Sequence, residues 1–450
     1  MTDLRPPLLS GARPVVGHIP EFMRDPVAVL ERGYREHGHV FAIRIGRQPA
    51  TVLLGGEHNR FFFSETDKRL SIRSAYPFFV RMFDPQFYFF GGPDEYRRQR
   101  ALVLPRFQGR QLGGYVEAMS GQTRDVQRQL GDSGEFDLIQ TLGPLVMRIA
   151  AHAFLGPELG GHLGVEFFER FRRFSGGMEQ VLPLWLPIPR LVRARRARDE
   201  LRRLLGEMIR RRREQPIDPP DFLQTLVEAR YDDGEAVPDL VLINMILMLT
   251  WAGHETTAGH VSWALIDLLQ HPEALERVRA EQRAVLDGAV LDGTADPDLK
   301  QINQLTYLDR ALHETERLHP VAFTLARSAA ETISYSGYEI PKGSMIFVSP
   351  AVSHRLPDVY PDPDRFRPER FEDDPSGMKG LVGFGGGVHR CLGVHFAYLE
   401  IKVIVTMLLR DYDLELVDPD PQPVPGTKTK WPQSPCRVRY RRKVPAATVS

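Results

Sequence analysis

Cysteine is almost missing from this chain: there are two in 450 residues, Cys391 and Cys436. Two thiols build no disulfide framework, and a reducing, cytoplasmic setting is expected. Net charge is missing as well. Fifty-eight basic and 58 acidic residues cancel, so no global field draws the chain onto nucleic acid, and nucleic acid is not an expected partner. Long apolar runs are also absent. The most apolar, LVLINMILMLTW at 240–251, is twelve residues long, against the roughly 20 that a bilayer-spanning helix needs. It reads as a buried core helix, and no transmembrane anchor is expected. The opening MTDLRPPLLSGARPVVG lacks the charged, apolar and small-residue series of a signal peptide. No internal repeat and no long linker divides the sequence, so a single domain over 1–450 is expected.

What is present is an ordinary globular composition, 42% hydrophobic and 26% charged, enough to bury a sizeable core. The alternating runs HVFAIRIG and PATVLLGG, within a β-rich part at about 35–60, have the period of a small antiparallel sheet. From about 93 to 320 apolar residues recur at three and four spacing, with breaks at proline or glycine clusters, which predicts a helical bulk. Its central helix, from about Asp239 to His271, is apolar almost all round and belongs in the middle of the molecule. From about 321 to 450 hairpin strands such as TISYSGYEIPKGSMIFVSP return. The fold class is mainly α with a small β region.

One cysteine stands in FGGGVHRCLG, residues 384–393. Free cysteine by itself is most often a small buried hydrophobe. The glycine triplet lacks the Lys-Ser/Thr of a P-loop. The surroundings favour a thiolate instead. VHFAYLEIKVIVTMLL begins an apolar helix just after Cys391, which brings unpaired N–H groups and a positive dipole end towards the sulfur. Gly385, Gly386, Gly387 and Gly393 let the backbone fold tightly against a large flat group, and Phe384 is placed to shield the sulfur. With no second cysteine nearby and no histidine pair at zinc spacing, haem iron fits a lone thiolate better than zinc.

FGGGVHRCLG resembles the haem-binding loop of the cytochrome P450 family: Phe384, Gly387, the basic His389, Cys391 and Gly393 fall on its pattern. Arginine is usual where His389 stands. The resemblance implies the cytochrome P450 fold, a haem b (iron protoporphyrin IX) with Cys391 as its axial thiolate, and a monooxygenase. Three further segments follow the family's order. In HETERLHP, Glu314 and Arg317 share a helix face, a spacing that by itself fits a solvated pair worth about 0 to 1 kcal/mol. The family joins such a pair to an arginine of a downstream PERF, here Arg370, as a structural support behind the haem. WAGHETTAGH sets Ala252, Gly253, Glu255 and Thr256 in the most apolar helix. The implied roles are a local opening of the helix, with Thr256 steadying bound oxygen and Glu255 relaying protons from water. EYRRQRALVLPRF resembles the helix that covers one haem edge. Arg100, Arg327, His389 and Tyr96 are assigned to the haem propionates. Arg97 and Arg98 read as a solvated face or as contacts to an acidic redox partner.

YPFFVRMFDPQFYFF at 76–90 is dense in aromatics, several of which must be core. The family uses this segment to line the pocket, which makes Tyr76, Phe78, Phe79, Phe83, Phe87, Phe89 and Ala252 substrate-pocket candidates for a bulky apolar molecule. A second wall, LPLWLPIPRLV at 182–192, is also a place for peripheral membrane contact. Within the family the chain looks most like bacterial sterol 14α-demethylases, through AYPFFVRMF, GVHRCLGVHFAYLEIK, LLRDYDLEL and PCRVRYRR. Those enzymes usually carry histidine where Glu255 stands, which favours a single hydroxylation or epoxidation over three-step demethylation. No flavin or iron–sulfur segment is visible, so electrons are expected from a ferredoxin or flavodoxin with its NAD(P)H reductase. Two rivals remain at this stage: a peroxide-dependent peroxygenase or isomerase, and a non-catalytic haem-containing ligand binder.

Overall fold

The computed structural model describes residues 4–443 except 78–81, 84–86, 88–91, 108, 110, 157–161 and 178–186. Its contacts divide into two compact units. The first comprises Met1–Ser71, Met119–Leu145 and Glu255–Ser450, and the second Ile72–Ala118 and Val146–His254.

The first unit holds all the strands among the described residues. HVFAIRIG and PATVLLGG form β1 (Val40–Ile45) and β2 (Gln48–Leu53), paired antiparallel as their alternation predicts. Beyond these lie β3 (Leu70–Ser71), β4 (Ser133–Asp137), β5 (Leu325–Ala329), β6 (Ile333–Tyr335), β7 (Tyr338–Ile340), β8 (Met345–Val348), β9 (Tyr412–Leu416) and β10 (Arg437–Arg442). The main sheet has the order β1-β2-β8-β5-β3, and β2 pairs parallel with β8. A second sheet, β4-β10-β9, joins three segments distant in sequence, and β4 is a strand inside the stretch expected to be mostly helical.

Helices start where the chain satisfies their first N–H groups. Asp25, Asp221, Asp287 and Asp298 accept from backbone N–H groups at N-caps, and Pro26, Pro93, Pro189 and Pro272 stand in first turns. The central helix spans Asp239–Gln270, as its pattern predicts. It is continuous through Gly253, so the local opening expected there is not seen. Leu242 to Met248 and Thr257 to Leu268 are mostly buried, while Trp251 to Thr256 are partly accessible and Ala252 is exposed. One helix that hydropathy had not singled out, Leu138–Leu155, is long and apolar enough to cross a bilayer by length and composition, and 61% of it is buried inside the protein.

Candidate active site

The cysteine loop is built from short-range bonds. The Cys391 N–H donates to Phe384 O at 2.9 Å, the Arg390 N–H to Gly387 O at 3.1 Å, and the Gly385 N–H to Val382 O at 2.9 Å. Gly385 and Gly387 have φ of +72° and +63°, where a side chain is strained. The helix Gly56–Ser64 presses on the loop: a Cβ on Gly387 would stand 2.8 Å from Phe63 O, and one on Gly386 2.7 Å from the Phe63 ring. After Cys391 the chain enters the helix Val394–Asp411 through Gly393, an N-cap residue that has no side chain with which to cap the first turn. Cys391 is thus exposed at a helix start, the setting that favours a thiolate. Cys436 is fully buried, and burial pushes its thiol up to about 12. An accessible thiol beside Gly393, where an added Cβ would meet no other atom, fits a large flat group bound through iron–sulfur ligation.

The support behind the loop is the network that HETER and PERF predict. Arg317 donates to both Glu314 oxygens at 2.9 Å, and Arg370 Nε reaches the same carboxylate at 2.9 and 3.0 Å. The remaining guanidinium N–H groups go to carbonyls: His354, Pro363 and Arg365 for Arg317, and Pro361, Asp362 and Arg365 for Arg370. Arg317 and Glu314 are fully buried and Arg370 nearly so. One carboxylate is shared by two cations, and the dipoles of the backbone carbonyls that take the other N–H groups offset the excess positive charge.

Two residues that the sequence gave no reason to select complete this support. Glu316 accepts from the Gly383 N–H at 3.0 Å and from the Tyr398 hydroxyl, and burial raises its carboxyl above the usual range. His354 Nε2 accepts from the Val382 N–H at 2.8 Å. Burial, reinforced by the nearby Arg317 charge, pushes its imidazole down to about 3. The two N–H groups leading into Phe384 are therefore fixed by buried side chains. Phe384 itself packs on Tyr398 at 5.3 Å and His260 at 6.1 Å between ring centroids, within a cluster that includes His313 stacked on Tyr398.

In the central helix, Glu255 Oε2 lies 3.4 Å from the Thr429 hydroxyl. The segment carrying Thr429 is held to the same helix by Trp263 Nε1, which donates to Lys430 O at 2.7 Å. Gly259 makes room there, since a Cβ would come 3.1 Å from the Trp431 side chain. Asp267 links this helix to Thr306–Leu318 by accepting from Thr315 at 2.7 Å and pairing with His319 at 3.1 Å.

The assigned propionate ligands have protein partners. His389 Nε2 is 2.6 Å from Asp67. Arg327, almost fully buried, donates to Thr66 Oγ1 at 3.1 Å and Ala326 O at 2.7 Å and lies over the Phe62 ring. In the second unit Arg100 donates to the Tyr96 hydroxyl at 3.0 Å. Arg97 pairs with Asp94, and Arg98 pairs with Asp233 and Glu235 while stacking on Tyr231 at 3.7 Å. Among the aromatic candidates, Phe83 and Phe87 are buried with ring centroids 5.4 Å apart, as core residues are, and Tyr76 is half-buried. Phe78, Phe79 and Phe89, and residues 182–186 of the second wall, lie outside the described residues.

Comparison with known proteins agrees with this geometry. The family model described as Cytochrome P450 matches residues 6–438. A sterol 14alpha-demethylase from Mycolicibacterium vanbaalenii is 33% identical over 97% of this chain and 98% of its own length. A sterol 14-demethylase from Arabidopsis thaliana is 31% identical over 97% and 91%. Among solved structures, a retinoic acid-bound cyanobacterial CYP120A1 superposes with a TM-score of 0.85 at 27% identity, covering 98% of this chain and 100% of that one.

Proposed function

The chain belongs to the cytochrome P450 family of haem-thiolate monooxygenases, and on that premise we propose that it inserts one oxygen atom, by hydroxylation or epoxidation, into a bulky apolar small molecule of terpenoid, steroid or polyketide type. Haem b with a cysteine thiolate supplies dioxygen activation in this family. The single observation that carries the assignment to this site is the exposed thiol of Cys391 at the start of a helix, in a loop held from behind by Glu316 and His354.

The chain's own residues divide the remaining work. Cys391 would hold the haem iron through its sulfur, and the dipole of Val394–Asp411 favours the thiolate form that this needs. Glu255 and Thr256 stand in the accessible window of an otherwise buried helix, where a carboxylate and a hydroxyl can pass protons from water towards the oxygen-binding side. Arg327 and His389 of the first unit, and Arg100 with Tyr96 of the second, are the donors that would each serve haem propionates. Glu314, Arg317 and Arg370 act as supports and touch no substrate. Electrons come from a separate ferredoxin or flavodoxin with its reductase.

A second reading, sterol 14α-demethylation, is favoured by the names of the relatives that match over 97% of the chain. The carboxylate at Glu255 favours the first.

The experiment is a reduced, carbon monoxide-bound spectrum of the purified protein and of Cys391→Ala, followed by spin-state titration and product analysis with sterols, terpenoids, macrolides and retinoic acid. The long-wavelength Soret band of thiolate ligation, lost in the variant, with a singly oxygenated product, supports the proposal. Retention of that band in Cys391→Ala overturns the ligand assignment. Loss of a sterol's 14-methyl carbon through successive oxidations selects the second reading.

A further inference from the structure

The helix Pro189–Glu214 buries one face, through Leu191, Ala194, Ala197, Leu201, Leu205 and Met208. The face opposite Leu205 carries only charged side chains. Arg196, Arg203, Glu207, Arg210 and Glu214 are exposed there and Glu200 is half-buried, at the three and four spacing that places residues in one stripe of a helix. Asp199 and Arg211, both exposed, flank the stripe. Four arginines and four carboxylates cancel, so this face does not draw a polyanion.

The charges are not arranged for the benefit of their own helix. A glutamate four residues ahead of a cation supports a helix best. Here the order is the reverse, at Arg196 and Glu200, at Arg203 and Glu207, and at Arg210 and Glu214. Among the described residues Arg196, Arg203, Glu207, Arg210, Arg211 and Glu214 enter no ion pair, while Glu200 meets Arg170 at 3.1 Å and Asp199 meets Arg198 at 2.9 Å. Arginines off the stripe have partners within the chain: Arg202 reaches Asn244 at 3.3 Å, Arg212 pairs with Asp221 at 2.7 Å, and Arg213 pairs with Asp239. A groove of about 560 Å³ runs beside the stripe, lined by Arg203, Glu207, Arg210 and Glu214 with Asp239 of the central helix. The stripe therefore borders open space and keeps unused charge.

The order of the signs identifies what complements it. Counted outwards from Leu205, Arg203 and Glu207 are each two residues away, Glu200 and Arg210 five, Asp199 and Arg211 six, and Arg196 and Glu214 nine. Every charge on one side has the opposite charge at the same distance on the other. A two-fold axis that pairs two antiparallel helices brings together residues equally far on either side of it, each contact occurring twice. With that axis beside Leu205, Arg196 lies opposite Glu214 of a second copy and Arg203 opposite Glu207, while Asp199 and Glu200 face Arg210 and Arg211. At 1.5 Å per residue the matched stripe is about 27 Å long. A parallel pairing would set each charge against itself.

We propose that this protein self-associates as a two-fold dimer through antiparallel pairing of the helix Pro189–Glu214 with the same helix of a second copy. The helix lies wholly within the second unit, and neither haem nor substrate enters the contact. Exposed ion pairs are individually weak and are screened by salt, so the dimer is reversible and dissociates as ionic strength rises.

The test is sedimentation velocity of the haem-loaded full chain at rising concentration, in low and in high salt. The expected result is a monomer–dimer equilibrium that salt shifts towards monomer. Arg203→Glu and Glu207→Arg each set like charges across the axis and weaken the dimer more than tenfold. Both exchanges made in one chain restore it, and mixing the two single variants yields dimers that neither forms alone. The two positions are exposed, so the fold is kept, which unchanged circular dichroism checks. A native chain that stays monomeric up to its solubility limit in low salt overturns the proposal, as do single variants that dimerise like the native protein. A double exchange that fails to restore the dimer also overturns it, because association would then depend on another face or on general charge attraction.

Discussion

Glu316 accepts a hydrogen bond from the backbone N–H of Gly383 at 3.0 Å, which ties the helix Thr306–Leu318 to the residue immediately before Phe384. The approach is so close that a Cβ on Gly383 would stand 2.7 Å from the Glu316 carboxylate. The cysteine loop is thus positioned by a buried acid that lies one residue from the Glu314–Arg317 pair and belongs to a different network.

Replacing Glu316 by alanine leaves the Gly383 N–H and the Tyr398 hydroxyl without their acceptor, at about 1 to 3 kcal/mol for each buried donor. Glu316→Gln keeps one carbonyl oxygen and is milder. Urea unfolding and haem retention measure this. Equal stability of Glu316→Ala and the native protein would show that the tie restrains nothing.

Arg370→Ala uncouples the shared carboxylate of Glu314 from one of its two cations inside the protein and costs about 3 to 5 kcal/mol. Arg277→Ala, which removes an exposed arginine paired with Glu369, costs about 0 to 1 kcal/mol. Chemical denaturation of the two variants side by side checks the contrast, and similar losses would refute the buried network as the stronger one.

Stability falls as the solution is acidified below about pH 6.5, the ordinary imidazole value. His354 and His260 are buried neutral, with values lowered to about 3 and about 4. The unfolded chain takes up protons near 6.5 while the folded chain does not. Their contribution is therefore complete above 6.5 and declines as pH falls towards those lowered values, by about 2 kcal/mol for each histidine between pH 6.5 and 5. Glu316 and Glu400, both raised by burial, act in the opposite sense and partly offset it. His354→Gln isolates the histidine: its loss of melting temperature on acidification is smaller than that of the native protein. An identical pH dependence in the two proteins contradicts the assignment.

Gly387→Ala and Gly393→Ala separate the frame of the loop from its contact with haem. At Gly387 the φ of +63° and the Phe63 carbonyl 2.8 Å from a new Cβ make the substitution destabilising without any cofactor. At Gly393, with a φ of −87° and no atom within 4 Å of a Cβ, the haem-free protein keeps its stability. Loss of haem affinity in Gly393→Ala alone then reports contact with the macrocycle. Melting curves of the haem-free proteins and haem titration read the difference, and a large loss in haem-free Gly393→Ala would overturn it.

Glu255→Gln removes the proton-passing carboxylate while keeping its shape. Product formation falls about 100-fold, a typical size for a general acid or base, while the spin shift on substrate binding is retained. Unchanged turnover would remove Glu255 from the proposed proton path.

The local order of the polypeptide by itself determined the helical class, the β1–β2 hairpin, the long central helix and the loop with its cysteine. These rest on period, glycine and proline placement, and a contiguous motif, all carried within a few residues of chain. It also marked Glu314, Arg317 and Arg370 through a resemblance, although the three-apart spacing of the first two fits an exposed pair equally well. Only the tertiary structure decided that this pair is fully buried and that Arg370 shares its carboxylate across 56 residues of sequence. The same holds for His354 and Glu316 gripping the two N–H groups ahead of the loop, and for β2 lying parallel to β8. Phe83 and Phe87 show the limit from the other side, because a run of aromatics is the same string whether it lines a pocket or fills a core. Each of these depends on which distant backbone groups need a partner once water is excluded, and burial is a property of the packed chain that no local pattern encodes.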